Sequence, residues 1–153
     1  MPYLIDGNNV MAQKVGWHRD KAGARKQLIR DLAKFIAVHR VKVKVVFDGI
    51  PDAEFPDGCR YKSVHVFYAR PGLDADSRIK EFTDKASYRR DLVVVTSDKA
   101  LGSYVRHRGA KVQPSGKFRA ALRDTLEMSV KNKGVNDPVD IKEWTEYFQN
   151  GRK

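Results

Sequence analysis

Four short apolar runs in this chain end in, or lead straight into, an aspartate. They are Tyr3-Leu4-Ile5-Asp6-Gly7, Val45-Val46-Phe47-Asp48-Gly49, the stretch Val64 to Tyr68 ahead of Asp74-Ala75-Asp76, and Val93-Val94-Val95-Thr96-Ser97-Asp98. Apolar runs this short read as buried strands of a parallel sheet. After the first run, Gly7-Asn8-Asn9 predicts a tight turn. Leu28, Leu32, Phe35 and Ile36 then recur at three- and four-residue spacing, with Lys26, Arg30 and Lys34 on the other face. That pattern predicts an amphipathic helix from Ala22 to about His39. Gly49 to Arg60 holds two prolines and two glycines without periodicity, so this connection is expected to be a loop rather than a crossover helix. A helix is expected from near Asp74, with Asp76, Ile79 and Phe82 on roughly one face, and a strand over about Asp91 to Thr96 with Asp98 opening the next helix. Lys111-Val112-Gln113 reads as a short fifth strand and Ser115 as the cap of a helix running to about Val130. Asn136-Asp137-Pro138 marks the start of a last helix, about 138–150, with an apolar stripe of Ile141, Trp144 and Phe148.

With 153 residues and 41% hydrophobic content, one core is expected: a single domain over 1–153 with the C-terminal helix packed on it. Lys and Arg number 30 against 19 acids, a net charge of +11, which favours a polyanionic partner. Cys59 is the single cysteine, so no internal disulfide is possible. His18, His39, His65 and His107 lack zinc-ligand spacing. No apolar run approaches the ~18 residues a membrane span needs, so a soluble, cytoplasmic chain is expected.

The carboxyl ends of parallel strands lie along one edge of a sheet, where open α/β folds hold their ligands. The aspartates would converge there. Several clustered carboxylates repel one another unless a hard dication sits among them, so the pattern points to Mg²⁺ or Mn²⁺. Singly, each acid has a simpler reading: Asp6 and Asp48, both before Gly, as turn residues, and Asp74 and Asp98 as helix caps. Together they exceed what turns and caps require, since Ser, Thr and Asn serve those positions as well. Asp74 and Asp76 cannot both project from one face of a regular helix, because two residues turn through about 200°. The register of Asp76 with Ile79 and Phe82 marks it as the inward one.

Leu4-Ile5-Asp6-Gly7-Asn8-Asn9-Val10, Val46-Phe47-Asp48-Gly49, Asp74-Ala75-Asp76-Ser77-Arg78-Ile79 and Val95-Thr96-Ser97-Asp98-Lys99-Ala100-Leu101 resemble the ordered motifs of the NYN domain, in particular its YacP-like branch within the PIN-like superfamily. The resemblance spans about residues 3 to 125. It implies a PIN-like three-layer α/β/α sandwich around a mostly parallel sheet, and Mg²⁺- or Mn²⁺-dependent cleavage of RNA. On it, Asp6, Asp76 and Asp98 match the catalytic and metal-binding acids, Asn9 the asparagine after the first acid, and Asp48 the acid at the second strand, whereas Asp74 stands where the family varies; Asp48 and Asp74 are further candidate metal ligands and Asn9 a candidate orienting residue.

Such a site needs no Ser or Cys nucleophile, in keeping with the absence of a Ser/His/Asp or Cys/His signature. Candidate RNA contacts are Trp17, Arg19, Arg70, Lys99, Arg106 and Lys117, with the segment Val10 to Lys21 as a substrate-recognition element. Two other readings keep the same partners, RNA or the ribosome: a binding module without cleavage, and a PIN-type toxin nuclease. A receiver domain or a haloacid-dehalogenase-like phosphatase fits poorly, because Asp6-Gly7-Asn8 replaces the acid pairs those folds carry after strand one.

Overall fold

The computed structural model describes residues 2–135, so the helix expected at about 138–150, and with it the single-domain reading of 1–153, lies outside the described residues. A six-stranded sheet is built from β1 (Pro2–Asp6), β2 (Lys42–Phe47), β3 (Arg60–Tyr61), β4 (Val64–Tyr68), β5 (Val93–Val95) and β6 (Lys111–Gln113). The order is β3-β4-β2-β1-β5-β6, all parallel except β3, which runs antiparallel to β4. The helices are α1 (Gly7–Met11), α2 (Lys21–His39), α3 (Ala75–Lys85), α4 (Lys99–His107) and α5 (Ser115–Val135).

Successive side chains of a strand point to opposite faces, and here both faces are apolar. Ile5, Val45, Val66 and Val95 pack with Val10 and Met11 of α1, Leu28 and Phe35 of α2, and Phe118 of α5. Leu4, Val46, Phe67 and Val94 pack with Ala75 and Ile79 of α3 and Leu101 and Val105 of α4. The result is the expected α/β/α sandwich. Parallel strands require crossovers: α2, α3 and α4 lie between β1 and β2, β4 and β5, and β5 and β6, while β2 reaches β4 through the long loop and β3.

Four details differ from the sequence reading. Gly7-Asn8-Asn9 opens the short helix α1 rather than a tight turn. Burial of Val10 and Met11 outweighs the weak helix preference of Gly and Asn. The connection after β2 is a loop as expected, but its end adds the two-residue strand β3. Asp91 belongs to a 3₁₀ turn, Arg89–Asp91, before β5. Ser115 lies inside α5 as its first residue, and the carbonyl of Pro114 accepts the Phe118 N–H. No helix among the described residues is long and apolar enough to cross a membrane.

Candidate active site

Strand parity sends the acids to one layer. Asp6 follows Leu4 by two residues, Asp48 follows Val46, and Thr96 follows Val94, so all three continue the rows that face α3 and α4. Asp76 stands in the first turn of α3 and Asp98 caps α4, each helix starting at the carboxyl edge of the sheet. Asp6, Asp48, Asp76 and Asp98 therefore meet at one corner.

Their electrostatics record the convergence. Burial pushes the Asp6 carboxyl from the ordinary 3.8 to about 7, against hydrogen bonds from Thr96 and the Asn9 backbone, and the charges of Asp76 and Asp48 add to the rise. Burial also raises Asp76, followed by the charges of Asp98, Asp74 and Asp48. Asp6 is only 5% exposed, whereas Asp76 is half-buried. Among the described residues no three His, Cys, Asp or Glu side chains already stand in a metal-ligand arrangement.

A polar network holds this corner together. Thr96 Oγ1 donates to Asp6 Oδ2 at 3.0 Å and accepts the Asp98 N–H at 3.1 Å, so one hydroxyl bridges two acids. Asn9 Oδ1 accepts from the Ser97 N–H at 2.9 Å and from Ser115 Oγ, while Ser97 Oγ accepts the Ser115 N–H. Asn9 thus locks α1, the end of β5 and the start of α5 to one another. Asn8 Oδ1 accepts the Asp48 N–H at 3.0 Å, tying the start of α1 to the end of β2. Asp48 Oδ1 in turn accepts the Ala75 N–H at 2.8 Å, and Asp98 Oδ1 caps the Leu101 N–H at 3.0 Å. Asp74 is an exposed N-cap, its Oδ1 bonded to the Ser77 N–H and hydroxyl, which hold its carboxyl below the ordinary value.

Of the expected RNA contacts, Lys99 is exposed on the first turn of α4 beside Asp98, and Lys117 is exposed on the first turn of α5, two residues beyond Ser115. Arg106 sits at the far end of α4, about 10 Å along the helix from Lys99. Arg70 is bound to Glu81 through Nε and Nη2. Trp17 and Arg19 form a 3₁₀ turn, and the Trp17 ring packs against the opposite layer with Lys21 Nζ above it. Two adjoining cavities of about 320 and 470 Å³ open on that side, lined by Lys14, Val15, Gln27 and Arg119 in common. None of the clustered aspartates lines them.

Sequence reasoning passed over Thr96, Ser97 and Lys80, and read Ser115 only as a helix cap. The charge of Lys80 lowers both Asp76 and Asp74, and its i, i+4 spacing from Asp76 was the available signal. Thr96 and Ser97 sat inside a quoted motif, but their partners are about 20 to 90 positions away in the chain. Thr96→Val keeps the shape and removes both hydrogen bonds. Without the Thr96 donor the Asp6 carboxyl rises further, so the loss of stability with rising pH is expected to extend to higher pH, read by urea unfolding at several pH values.

An α/β/α sandwich with aspartates gathered at the carboxyl edge of its mostly parallel sheet is the architecture that the sequence motifs led one to expect. A family model described as the YacP-like NYN domain matches residues 3–146, and the chain belongs to that family of nuclease-like, RNA-acting domains. Similar solved structures include crystal structures of Rae1 (YacP) from Bacillus subtilis. One shares 20% identity, with 99% of this chain and 95% of that chain covered and a TM-score of 0.68. A single-residue mutant of the same protein shares 22% identity over 94% of this chain and 89% of that one, also with a TM-score of 0.68. At this identity the likeness carries the fold. No curated protein matches the chain.

Proposed function

We propose that this protein is a metal-dependent endoribonuclease that hydrolyses phosphodiester bonds of RNA at Asp6, Asp76 and Asp98. The observation that carries the reading is the convergence itself: the ends of β1 and β2 and the starts of α3 and α4 bring Asp6, Asp48, Asp76 and Asp98 to one corner, close enough that, after burial, their charges add to the rise of Asp6 and Asp76. All-oxygen donors of this kind suit Mg²⁺ or Mn²⁺, whose charge would offset the repulsion. When bound, such an ion activates water and stabilises charge on the phosphate and leaving oxygens.

The chain's own residues do the rest. Asp6, Asp76 and Asp98 would hold the ion, and Asp48, engaged at Ala75 through Oδ1, supports them from the side. Thr96 orients Asp6 through its hydroxyl while fixing the backbone of Asp98. Asn9 keeps the three contributing segments in register. Lys80 and Lys99 border the acids and would take the flanking phosphates, while Lys117 extends the basic rim. A net charge of +11 serves a polyphosphate strand, as the RNA-acting family does.

The test is cleavage of end-labelled single-stranded RNA with Mn²⁺ or EDTA, comparing wild type with Asp98→Asn. Asn caps a helix as well as Asp does, so the variant is expected to fold. Internal cuts that vanish with EDTA and fall at least about 100-fold in the variant are expected, since loss of a ligand outweighs loss of an outer-shell partner. Salt-sensitive RNA binding with no cleavage in Mn²⁺ would instead identify a binding module.

A further inference from the structure

Arg25 belongs to α2, in the layer opposite the acids, yet it reaches the backbone of one of them. Its Nη2 donates to the Asp48 carbonyl at 3.0 Å and its Nη1 to the Ile50 carbonyl at 3.2 Å. The guanidinium lies 6.0 Å from the Phe47 ring centroid and 5.6 Å from that of Tyr68. Arg25 Nε is the single buried side-chain nitrogen or oxygen atom among the described residues that lacks a hydrogen-bond partner. Leaving such a donor bare is unfavourable, and a fork that only filled space would be better replaced by an apolar side chain. The loop is shaped to receive it. Gly49, between the two carbonyls, has φ +90, and a Cβ there would come within 2.9 Å of Arg25 Nη2.

From Asp48 the connection continues to the other layer. Its N–H is held by Asn8, its carbonyl by Arg25, and its carboxylate accepts the N–H of Ala75, the residue before Asp76. The rest of the long loop is anchored separately, by Tyr68 Oη at the Asp52 N–H and the Phe55 carbonyl. We infer that Arg25 is a positioning residue: by clamping the Asp48 and Ile50 carbonyls it sets Asp48, and through Asp48 the start of α3 that carries Asp76. The clamp itself rests on geometry alone, while its consequence for metal binding rests on the function proposed above.

Two variants separate this role from loop stability. Arg25→Gln removes the fork, and Tyr68→Phe loosens the same loop without touching Asp48. Amide hydrogen exchange by NMR, run without metal, is expected to speed up about tenfold or more at Ala75 in Arg25→Gln, with Leu101, capped by Asp98, unchanged. Tyr68→Phe is expected to leave Ala75 protected. Calorimetry is expected to show Mn²⁺ affinity reduced at least about fivefold in Arg25→Gln and near wild type in Tyr68→Phe, with Arg25→Lys between wild type and Arg25→Gln. Unchanged exchange at Ala75 in Arg25→Gln overturns the clamp. Equal losses of Mn²⁺ affinity in Arg25→Gln and Tyr68→Phe also overturn it, reducing Arg25 to general loop stability. Faster exchange at Ala75 in a protein whose wild type binds no Mn²⁺ supports the clamp and sinks the metal reading instead.

Discussion

Asp6→Asn is expected to abolish RNA cleavage and, at the same time, to make the protein more stable at neutral and alkaline pH. Asp6 is 5% exposed and its carboxyl is pushed up to about 7, against 3.8 when the chain is unfolded. The folded protein therefore holds a proton that the unfolded chain has already released. For a group raised in this way, stability is greatest below the unfolded value and falls as pH rises through the folded one. Wild type thus loses stability from about pH 4 to about pH 7 and stays at its lower level above. The rise to about 7 bounds that loss at roughly 4 kcal/mol, and relaxation of the site makes 2–3 kcal/mol the expected figure. The neutral amide escapes it, and its oxygen can still accept the Thr96 hydroxyl.

Urea unfolding without metal should show Asp6→Asn more stable than wild type at about pH 8, by roughly 5–10 °C if read as Tm. The difference should shrink below pH 7 and vanish near pH 4. Equal stability at pH 8 would mean that the Asp6 carboxyl is not held against its charge. Retained cleavage would mean that Asp6 is not a ligand.

The second large effect is the response to divalent ions. Mn²⁺ at about 100 times its dissociation constant should stabilise wild type by about 2.7 kcal/mol, a Tm rise of roughly 5–10 °C at pH 8. At pH 5.5 the Asp6 carboxyl is mostly protonated in the folded protein, so the ion must displace a proton. Affinity should then be roughly 30-fold lower than at pH 8, and at the same Mn²⁺ concentration most of the Tm rise should disappear. Asp6→Asn and Asp76→Asn should show little rise at either pH. A Tm shift of equal size in wild type and both variants would assign the ion to another place on the protein. These measurements require no turnover, so they test the acid cluster apart from the identity of the RNA.

Much of the architecture was legible because both periodicities were clean. Uninterrupted Val and Ile runs marked strands buried on two faces, and the Leu28-Leu32-Phe35-Ile36 spacing marked α2. Gly7-Asn8-Asn9 misled because a local preference for turns is worth less than burying Val10 and Met11. Ser115 misled in a related way. Its hydroxyl donates to Asn9 of α1, far away in the chain, and the residue itself stands in the first position of α5 rather than ahead of it. Arg25 gave no signal, since one cation on an amphipathic helix looks like any other until the loop it clamps is in place.

What the sequence by itself determined was that acids stand at the carboxyl ends of buried parallel strands, since run length, β-branching and the position of each Asp are local properties. It also determined that Asp74 and Asp76 must divide their roles, because helical geometry alone forbids a shared face. Tertiary structure decided which face the acids share, through the parity of Leu4, Val46 and Val94 against α3 and α4. It decided too that Thr96 bridges Asp6 and Asp98, and that Trp17 and Arg19 fall on the opposite layer. Contacts of this kind join residues far apart in the chain, and their energies depend on which layers pack together, which no local pattern encodes.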